Sequence, residues 1–415
     1  MSAPAKRDEH RLSAAAFSPA QRVSRIRISP SLAAAQRARE LREAGRTIVD
    51  FTAGEPDFDT PRHVKDAAIA AIEAGETKYT PVNGTAVLRN AIRERMLRTS
   101  GIRYGDSQIT VGGGGKQLIN LAFAATLDAG DEVIVPAPYW VSYPDMVLMN
   151  DGTPVPVQTR QEGGYRLTPE ALRAAITPRT KWLVLNAPGN PTGAVYDRAS
   201  LEAIAAVLAD FPHVWVLSDE IYDEILYTDE PYVGFAEAAP ELRDRTLTVN
   251  GVSKAYAMTG WRLGYAVGDE RLIAAINKLQ SQSSSCPSSI SQAAAAAALT
   301  GDQTFVAECC DAYRARRDRA VAALDRVPGL CPSVPDGAFY LFVGCSGLIG
   351  KRKPSGQTIQ NDLDVTLYLL EQAGVAVIQG SAYGSEPFFR ISFATGVDQI
   401  ERGTAAIADA VAKLS

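Results

Sequence analysis

Histidine is nearly absent from this chain: 3 of 415 residues, His10, His63 and His213, far apart and never in a His-x-His or His-Glu-x-x-His pattern. Cysteine is sparse and odd in number, with Cys286, Cys309, Cys310, Cys331 and Cys345 and no Cys-x-x-Cys. These absences argue against a metal site built from paired ligands and against a disulfide scaffold, and free thiols suit a reducing cytosol. The adjacent Cys309 and Cys310 read as helix core packing. Lysine is scarce as well, ten residues against 32 arginines, in a chain of net charge −5. With no dense Lys/Arg stripe, nucleic acid is not expected as the main partner. No apolar run approaches the roughly 18 residues needed to span a bilayer. The opening stretch MSAPAKRDEHRLSAAAF has mixed charges and no apolar centre, so no secretory signal is expected. A cytoplasmic protein follows, whose chemistry rests on lysine, carboxylate, tyrosine or a cofactor.

What is present is a 46% hydrophobic chain with room for two domains of roughly 100–200 residues each. Residues 1–24 are rich in Ala, Ser and Arg and read as a mobile arm. From Ile48, short apolar runs at 48–53, 108–111, 132–136, 181–186, 214–218, 246–250 and 263–267 read as buried strands. Segments with helical spacing separate them at 61–74, 85–99, 116–128, 139–149, 168–176 and 199–210. That alternation predicts an α/β fold with a mainly parallel sheet covered on both faces. After Asp269 come helices at 269–283, 288–299 and 302–326, then strand 336–343, helix 361–373, strands 375–379 and 388–394, and helix 397–414. This stretch reads as a smaller α+β domain sharing residues 25–59. The run Arg314, Arg316, Arg317, Arg319 reads as a solvated helical face, and 346–360 as a flexible polar loop.

Four clusters stand at predicted strand ends, where ligands bind in open α/β sheets. Gly112 to Gly115 with Lys116 ends one strand and opens a helix, a place where backbone N–H groups meet anions, although a plain tight turn has the same pattern. Asn186-Ala-Pro-Gly-Asn190-Pro191-Thr-Gly193 is either a simple elbow or a way to aim Asn190, for which a cis bond to Pro191 is one route. Asp219 either caps a following helix or pairs with a protonated heteroaromatic nitrogen, with Tyr222 supplying a phenol. Lys254 sits among Gly, Ala, Val, Tyr and Met, with Ser253 before it and Arg262 eight positions on. Desolvation there lowers an amine's pKa and leaves a usable nucleophile. A phosphate cradle, a carboxylate for a ring nitrogen, a phenol and a desolvated lysine together describe pyridoxal 5′-phosphate.

Over about 25–414 the sequence resembles the class I, fold type I, pyridoxal-phosphate aminotransferases, and most of all the bacterial gamma subgroup of aspartate aminotransferases. The resemblance rests on AGEPDFDTP (53–61), APYWVSYPDMV (137–147), NPTGAVY (190–196), SDEIYDEILY (218–227), TVNGVSKAYAMTGWRLGY (248–265), DGAFY (336–340) and FRISFAT (389–395). It implies a large domain, 60–318, whose seven-stranded sheet is sandwiched by helices, and a small α+β domain, 25–59 with 319–415. Residue by residue, it implies that Lys254 bonds the cofactor and serves as base, that Asp219 pairs with the ring nitrogen, and that Asn190 and Tyr222 bond its phenolic oxygen. Trp140 stacks on the ring; Gly114, Gly115, Lys116, Ser253 and Arg262 surround the phosphate, joined by Tyr79 of a neighbouring subunit in a homodimer. Arg390 binds the substrate α-carboxylate, aided by Gly54 and Asn190, and Lys116 meets the distal carboxylate of acidic substrates. The implied reaction is ping-pong transamination between an amino acid, aspartate or glutamate favoured, and a 2-oxo acid. The alternatives are an aromatic or prephenate aminotransferase, another enzyme acting at Cα, or a silent ligand-binding regulatory module, for which the arm before Arg25 is too short to hold a helix-turn-helix.

Overall fold

A computed structural model describes residues 17–28 and 30–415. In chain order its strands are β1 (Val49–Asp50), β2 (Ile109–Gly112), β3 (Glu132–Ala137), β4 (Thr153–Gln158), β5 (Thr180–Asn186), β6 (Trp215–Asp219), β7 (Thr246–Gly251), β8 (Gly264–Val267), β9 (Cys331–Pro332), β10 (Tyr340–Gly344), β11 (Val375–Ala376), β12 (Ile378–Gln379) and β13 (Phe388–Ser392). β2 to β8 form one seven-stranded sheet in the order β2-β8-β7-β6-β5-β3-β4. β8 is antiparallel to both of its neighbours, and the other pairings are parallel, so every strand but β8 runs the same way. The apolar runs of β5, β6 and β7 are buried on both faces, as interior parallel strands must be.

β4 is missing from the sequence reading. Its residues, Thr-Pro-Val-Pro-Val-Gln, alternate between exposed and half-buried, and two prolines that cannot donate ladder bonds confine it to the sheet edge. β1 also departs from expectation. The run 48–53 does not join the large sheet; Val49 and Asp50 pair with Val375 and Ala376 of β11. β12, β13, β10 and β9 form a second, antiparallel sheet. Its core includes Phe51, Phe339, Phe393 and Ile407, all buried. The strand expected at 336–343 starts later, because Ala338 adopts φ 57° in a turn.

The helices expected around the large sheet are present as Arg62–Glu73, Ala86–Ser100, Gly115–Thr126, Ser142–Met149, Pro169–Ala175 and Arg198–Ala209. Side-chain caps fix some of these starts: Thr85 and Asp197 accept from Leu88 N and Ser200 N. Most of the arm expected over 1–24 lies outside the described residues, and its last residues form part of a short helix, Gln21–Arg25. The loop 346–360 is held in place by Arg352 N donating to Ser415 O at 2.8 Å and Gly350 N to Ile359 O at 2.9 Å. Among the described residues no helix is long and apolar enough to cross a membrane.

The arginine run on helix Thr304–Leu324 is not a solvated face. Arg316 pairs with Asp57 at 2.7 Å and lies 4.9 Å from the Phe58 ring centroid. Arg317 lies 4.8 Å from the Tyr227 ring and donates to Pro335 O. Guanidinium planes stack well on aromatic rings, and this stacking ties residues 57–58 and 227 to the helix. Arg319, paired with Glu401, does remain exposed.

Candidate active site

The carboxyl ends of β2, β3, β5, β6 and β7 face one edge of the large sheet. β8 runs the other way, so its amino end, and Arg262 before it, arrives at that same edge. Over this edge lies a cleft of about 480 Å³, closed on the far side by Thr52, Gly54, Tyr340 and Arg390 from the second sheet and its flank. Gly114, Gly115, Lys116, Trp140, Asn190, Asp219, Tyr222, Ser253, Lys254 and Arg262 complete its wall. Of the side chains expected at the site, Tyr79 alone is not brought in. It is 91% exposed and lies apart from the cleft of its own chain.

The anion cradle is built at the start of helix Gly115–Thr126, whose first N–H groups lack helical partners. Gly114 has φ +98°, and a Cβ there would lie 2.7 Å from Arg262 Nη2. Gly264 is equally constrained, since a Cβ would meet Gly115 N at 2.5 Å. Without a glycine at each position, Arg262 could not close over the helix start. Its guanidinium donates to Thr259 O at 2.9 Å and Gly113 O at 3.3 Å.

Asp219 ends β6. Its carboxylate is buried, which pushes its pKa up to about 6 against the hydrogen bond from Tyr143, whose hydroxyl donates to Oδ2 at 2.5 Å. No helix follows it to be capped; Ile221 N lies 3.4 Å from Oδ1 within a turn. A buried carboxylate with no cation bonded to it among the described residues suits a cationic ligand atom. Lys254 is half-buried, 5.7 Å from the Tyr222 ring centroid and 5.9 Å from that of Phe339, and bonds the Gly54 carbonyl. Burial pushes its pKa down to about 8. Roughly a quarter of such amines are neutral at pH 7.5, against about one in a thousand for a solvated lysine. Burial also lowers the Lys116 pKa, with Arg262 adding repulsion; its ammonium lies 4.8 Å from the Trp140 ring centroid.

Arg390 is 2% exposed. Its Nη1 donates to Asn190 Oδ1 at 3.0 Å and its Nη2 to the Thr52 carbonyl at 2.7 Å. The guanidinium lies 4.4 Å from the Tyr340 ring centroid. Its Nε is buried with no hydrogen-bond partner among the described residues, as expected where a ligand carboxylate completes the set. The Asn190–Pro191 bond is cis. Asn190 N donates to Asn186 Oδ1 at 3.0 Å, and Asn186 Nδ2 reaches the Asp219 carbonyl at 3.0 Å.

Sequence reasoning missed Thr52, Glu55, Tyr143 and Tyr340 as parts of the site. Tyr340 shares a 2.7 Å hydrogen bond with Tyr222, and Glu55 accepts from Thr259 at 2.9 Å. Tyr143 and Tyr340 stood inside the recognised segments APYWVSYPDMV and DGAFY, and their position there was the available signal. A glycine-lined anion cradle, a buried carboxylate, a phenol and a desolvated amine in one cleft fit pyridoxal phosphate.

Comparison with known proteins agrees. The sequence profile for aminotransferase class I and II matches residues 46–407. The chain is 51% identical to an aspartate aminotransferase of Rhizobium meliloti (strain 1021), covering 97% of this chain and 98% of that protein. It is 50% identical to an aspartate/prephenate aminotransferase of Cereibacter sphaeroides, covering 95% and 98%. The crystal structure of the aspartate aminotransferase from Rhizobium meliloti superposes with a TM-score of 0.94 at 50% identity, over 96% of this chain and all of that one. The aspartate aminotransferase of Thermus thermophilus, solved with maleate, gives 0.88 at 41% identity, over 95% of this chain and 100% of the other.

Proposed function

The chain belongs to the class I and II aminotransferases, and we propose that its cleft moves an amino group between an acidic amino acid, aspartate or glutamate, and a 2-oxo acid. It is a pyridoxal-phosphate-dependent transaminase; the substrates and the roles given to single residues are our reading. The observation that carries this reading is that Lys254, Asp219 and Arg390 line the same cleft.

When bound, pyridoxal phosphate supplies an electron sink for negative charge developing at the substrate Cα. The N–H groups of Gly114 and Gly115, with Ser253 and Arg262, hold its phosphate. Asp219 holds a proton on the ring nitrogen, Trp140 faces the ring, and Asn190 and Tyr222 hydrogen-bond the phenolic oxygen. Lys254 would hold the cofactor through Nζ, and its amine, when free, is placed to take the proton from the substrate Cα. Its pKa of about 8 suits the task, because a base near the working pH combines availability with proton affinity. Arg390, beside Asn190 and Gly54, receives the α-carboxylate. The first oxo acid leaves before the second enters, so one set of groups serves both half-reactions.

Preference for a second carboxylate rests on Lys116, which forms no ion pair among the described residues and faces the cleft beside Trp140. Maleate, present in the Thermus structure, is itself a dicarboxylate. We place the protein in the cytoplasm as a homodimer in which Tyr79 of each subunit completes the other's phosphate site. We divide it into a large domain, 60–318, and a small domain, 25–59 with 319–415. The pairing of β1 with β11 and the core shared by Phe51 and Phe393 support that division.

The test is half-reaction kinetics read from cofactor absorbance with a panel of amino acids. Aspartate and glutamate should convert the bound cofactor fastest, and Lys254→Ala should not respond. The Cereibacter relative's name includes prephenate, so prephenate belongs among the acceptors. Inert aspartate with active phenylalanine would overturn the acidic preference, and no response to any amino acid would overturn catalysis.

A further inference from the structure

Asp219 and Tyr222 enter the cleft from the turn after β6, and Ser253 and Lys254 from the turn after β7. Ladder pairing between the two strands ends at Asp219 and Val249, and Glu220 N still reaches Val249 O at 2.9 Å. Beyond that point the chain after β6 leaves the sheet, while Asn250 and Gly251 stay paired with β8 before the second turn begins, yet the chemistry needs the two turns in fixed relation.

Beneath the turns, outside the cleft wall, lies a buried polar cluster that touches no reacting group. Asp223 Oδ2 accepts from Arg95 Nη2 at 2.7 Å and from Asn250 Nδ2 at 2.8 Å. Asn250 Oδ1 accepts from Gly251 N at 2.7 Å, and Arg95 also reaches Glu224 at 3.0 Å. Arg95 is 2% exposed, Asp223 9% and Asn250 1%. Among the described residues, the Asp223–Asn250 contact is the only hydrogen bond joining residues 220–227 to residues 250–262.

Net stability is a poor account of such a cluster, because apolar side chains of similar volume commonly hold a core as well as a buried ion pair does. Hydrogen-bonded charges add defined lengths and angles. Asp223 directly follows Tyr222, and Asn250 begins the five residues that end at Lys254. Arg95 ties the turn after β6 to helix Ala86–Ser100, and Asn250 joins the second turn to it through Asp223.

We propose that Arg95, Asp223 and Asn250 are positioning residues, a clamp that holds the Asp219–Tyr222 turn and the Ser253–Lys254 turn in register for transamination. This rests on the roles assigned above to Asp219, Tyr222 and Lys254.

Asn250→Ala unties the two turns and leaves Asp223 paired with Arg95. Asp223→Asn keeps the shape and an acceptor but drops the charge, and it carries the test if Asn250→Ala does not fold. Leu172→Ala, which opens a cavity at a fully buried residue of helix Pro169–Ala175, is the structural control. Three quantities are measured: kcat and KM with aspartate on the pyridoxal-phosphate-loaded enzyme, visible-region circular dichroism of the bound cofactor, and thermal unfolding of the cofactor-free protein.

Asn250→Ala should lower kcat about tenfold to a hundredfold, the scale of a misplaced reacting group, and change the cofactor's circular dichroism while KM stays within about twofold. Asp223→Asn should do the same more weakly, and Leu172→Ala should lower only the unfolding temperature. Wild-type kcat and circular dichroism in both clamp variants would overturn the clamp, as would the same catalytic loss in Leu172→Ala. An undiminished response to aspartate in Lys254→Ala would instead overturn the site assignment, and the clamp with it.

Discussion

Replacing Asp219 with asparagine removes a carboxylate in the cleft whose charge the cofactor-free fold opposes. Burial raises its pKa from 3.8 to about 6. A raised carboxyl pKa means that the folded chain keeps its proton over a range where the unfolded chain has released it. Stability from this group is therefore highest below about 3.8 and is lost as pH climbs toward 6, after which it is flat. The full loss is about 3 kcal/mol, and about 2 of these fall between pH 4.5 and pH 7. Asparagine has nearly the same shape, cannot ionise, and still offers Tyr143 an oxygen to donate to. The cofactor-free Asp219→Asn protein should thus gain about 2 kcal/mol over wild type between pH 4.5 and 7, while the cofactor-loaded enzyme loses turnover. Urea unfolding of both proteins across that range measures the difference directly, since other titrating groups are shared and cancel. Lys254, whose pKa of about 8 is held up in part by Asp219, is kept out of the comparison by staying at or below pH 7. A stability difference that stays constant or shrinks with rising pH would refute the reasoning.

Three further outcomes follow from the same geometry. Tyr143→Phe removes the hydrogen bond that stabilises the Asp219 carboxylate and should raise its pKa by about 1–2 units; an infrared titration of the carboxyl stretch, with Asp219→Asn to assign the band, would show no movement if the hydroxyl were idle. Arg390→Lys keeps the charge but loses the two-pronged geometry, and kcat/KM for the amino donor should fall about 10- to 100-fold; an unchanged value would mean that the α-carboxylate binds elsewhere. Tyr79→Ala and Lys254→Ala should each be impaired alone. Mixed after subunit exchange they should recover about a quarter of wild-type activity, because half of the dimers are hybrids carrying one intact site; no recovery would argue that Tyr79 does not cross the interface.

Which parts of this structure could be read from the sequence follows from where each group finds its partner. The interior strands were legible because burial on both faces leaves an unbroken apolar run. β4 was not, because an edge strand with two prolines looks like a loop. Lys254, Ser253 and Arg262 could be named because they share a single stretch of chain whose composition is anomalous for lysine. Arg390 depended on the resemblance, since nothing within its own segment tells that it lies 3.0 Å from Asn190, 200 residues away in sequence.

The residues that escaped notice divide by cause. Thr52 contributes its carbonyl, a group that every residue possesses and no side chain announces. Tyr143 and Tyr340 read locally as core aromatics, and they are that: both are buried and pack edge-on against neighbouring rings. Their hydroxyls acquire a function only because the fold sets Asp219 opposite one and Tyr222 opposite the other. Arg316 and Arg317 show the reverse error. Charge at helical spacing implied solvent, but an aromatic surface across the helix and Asp57 turned the same residues inward. Reactive groups announce themselves by being out of place in their own sequence, whereas the groups that tune and position them look ordinary until tertiary contacts are known. Arg95, Asp223 and Asn250 belong to this second kind, and so a spectroscopic readout, rather than any motif, must decide what they do.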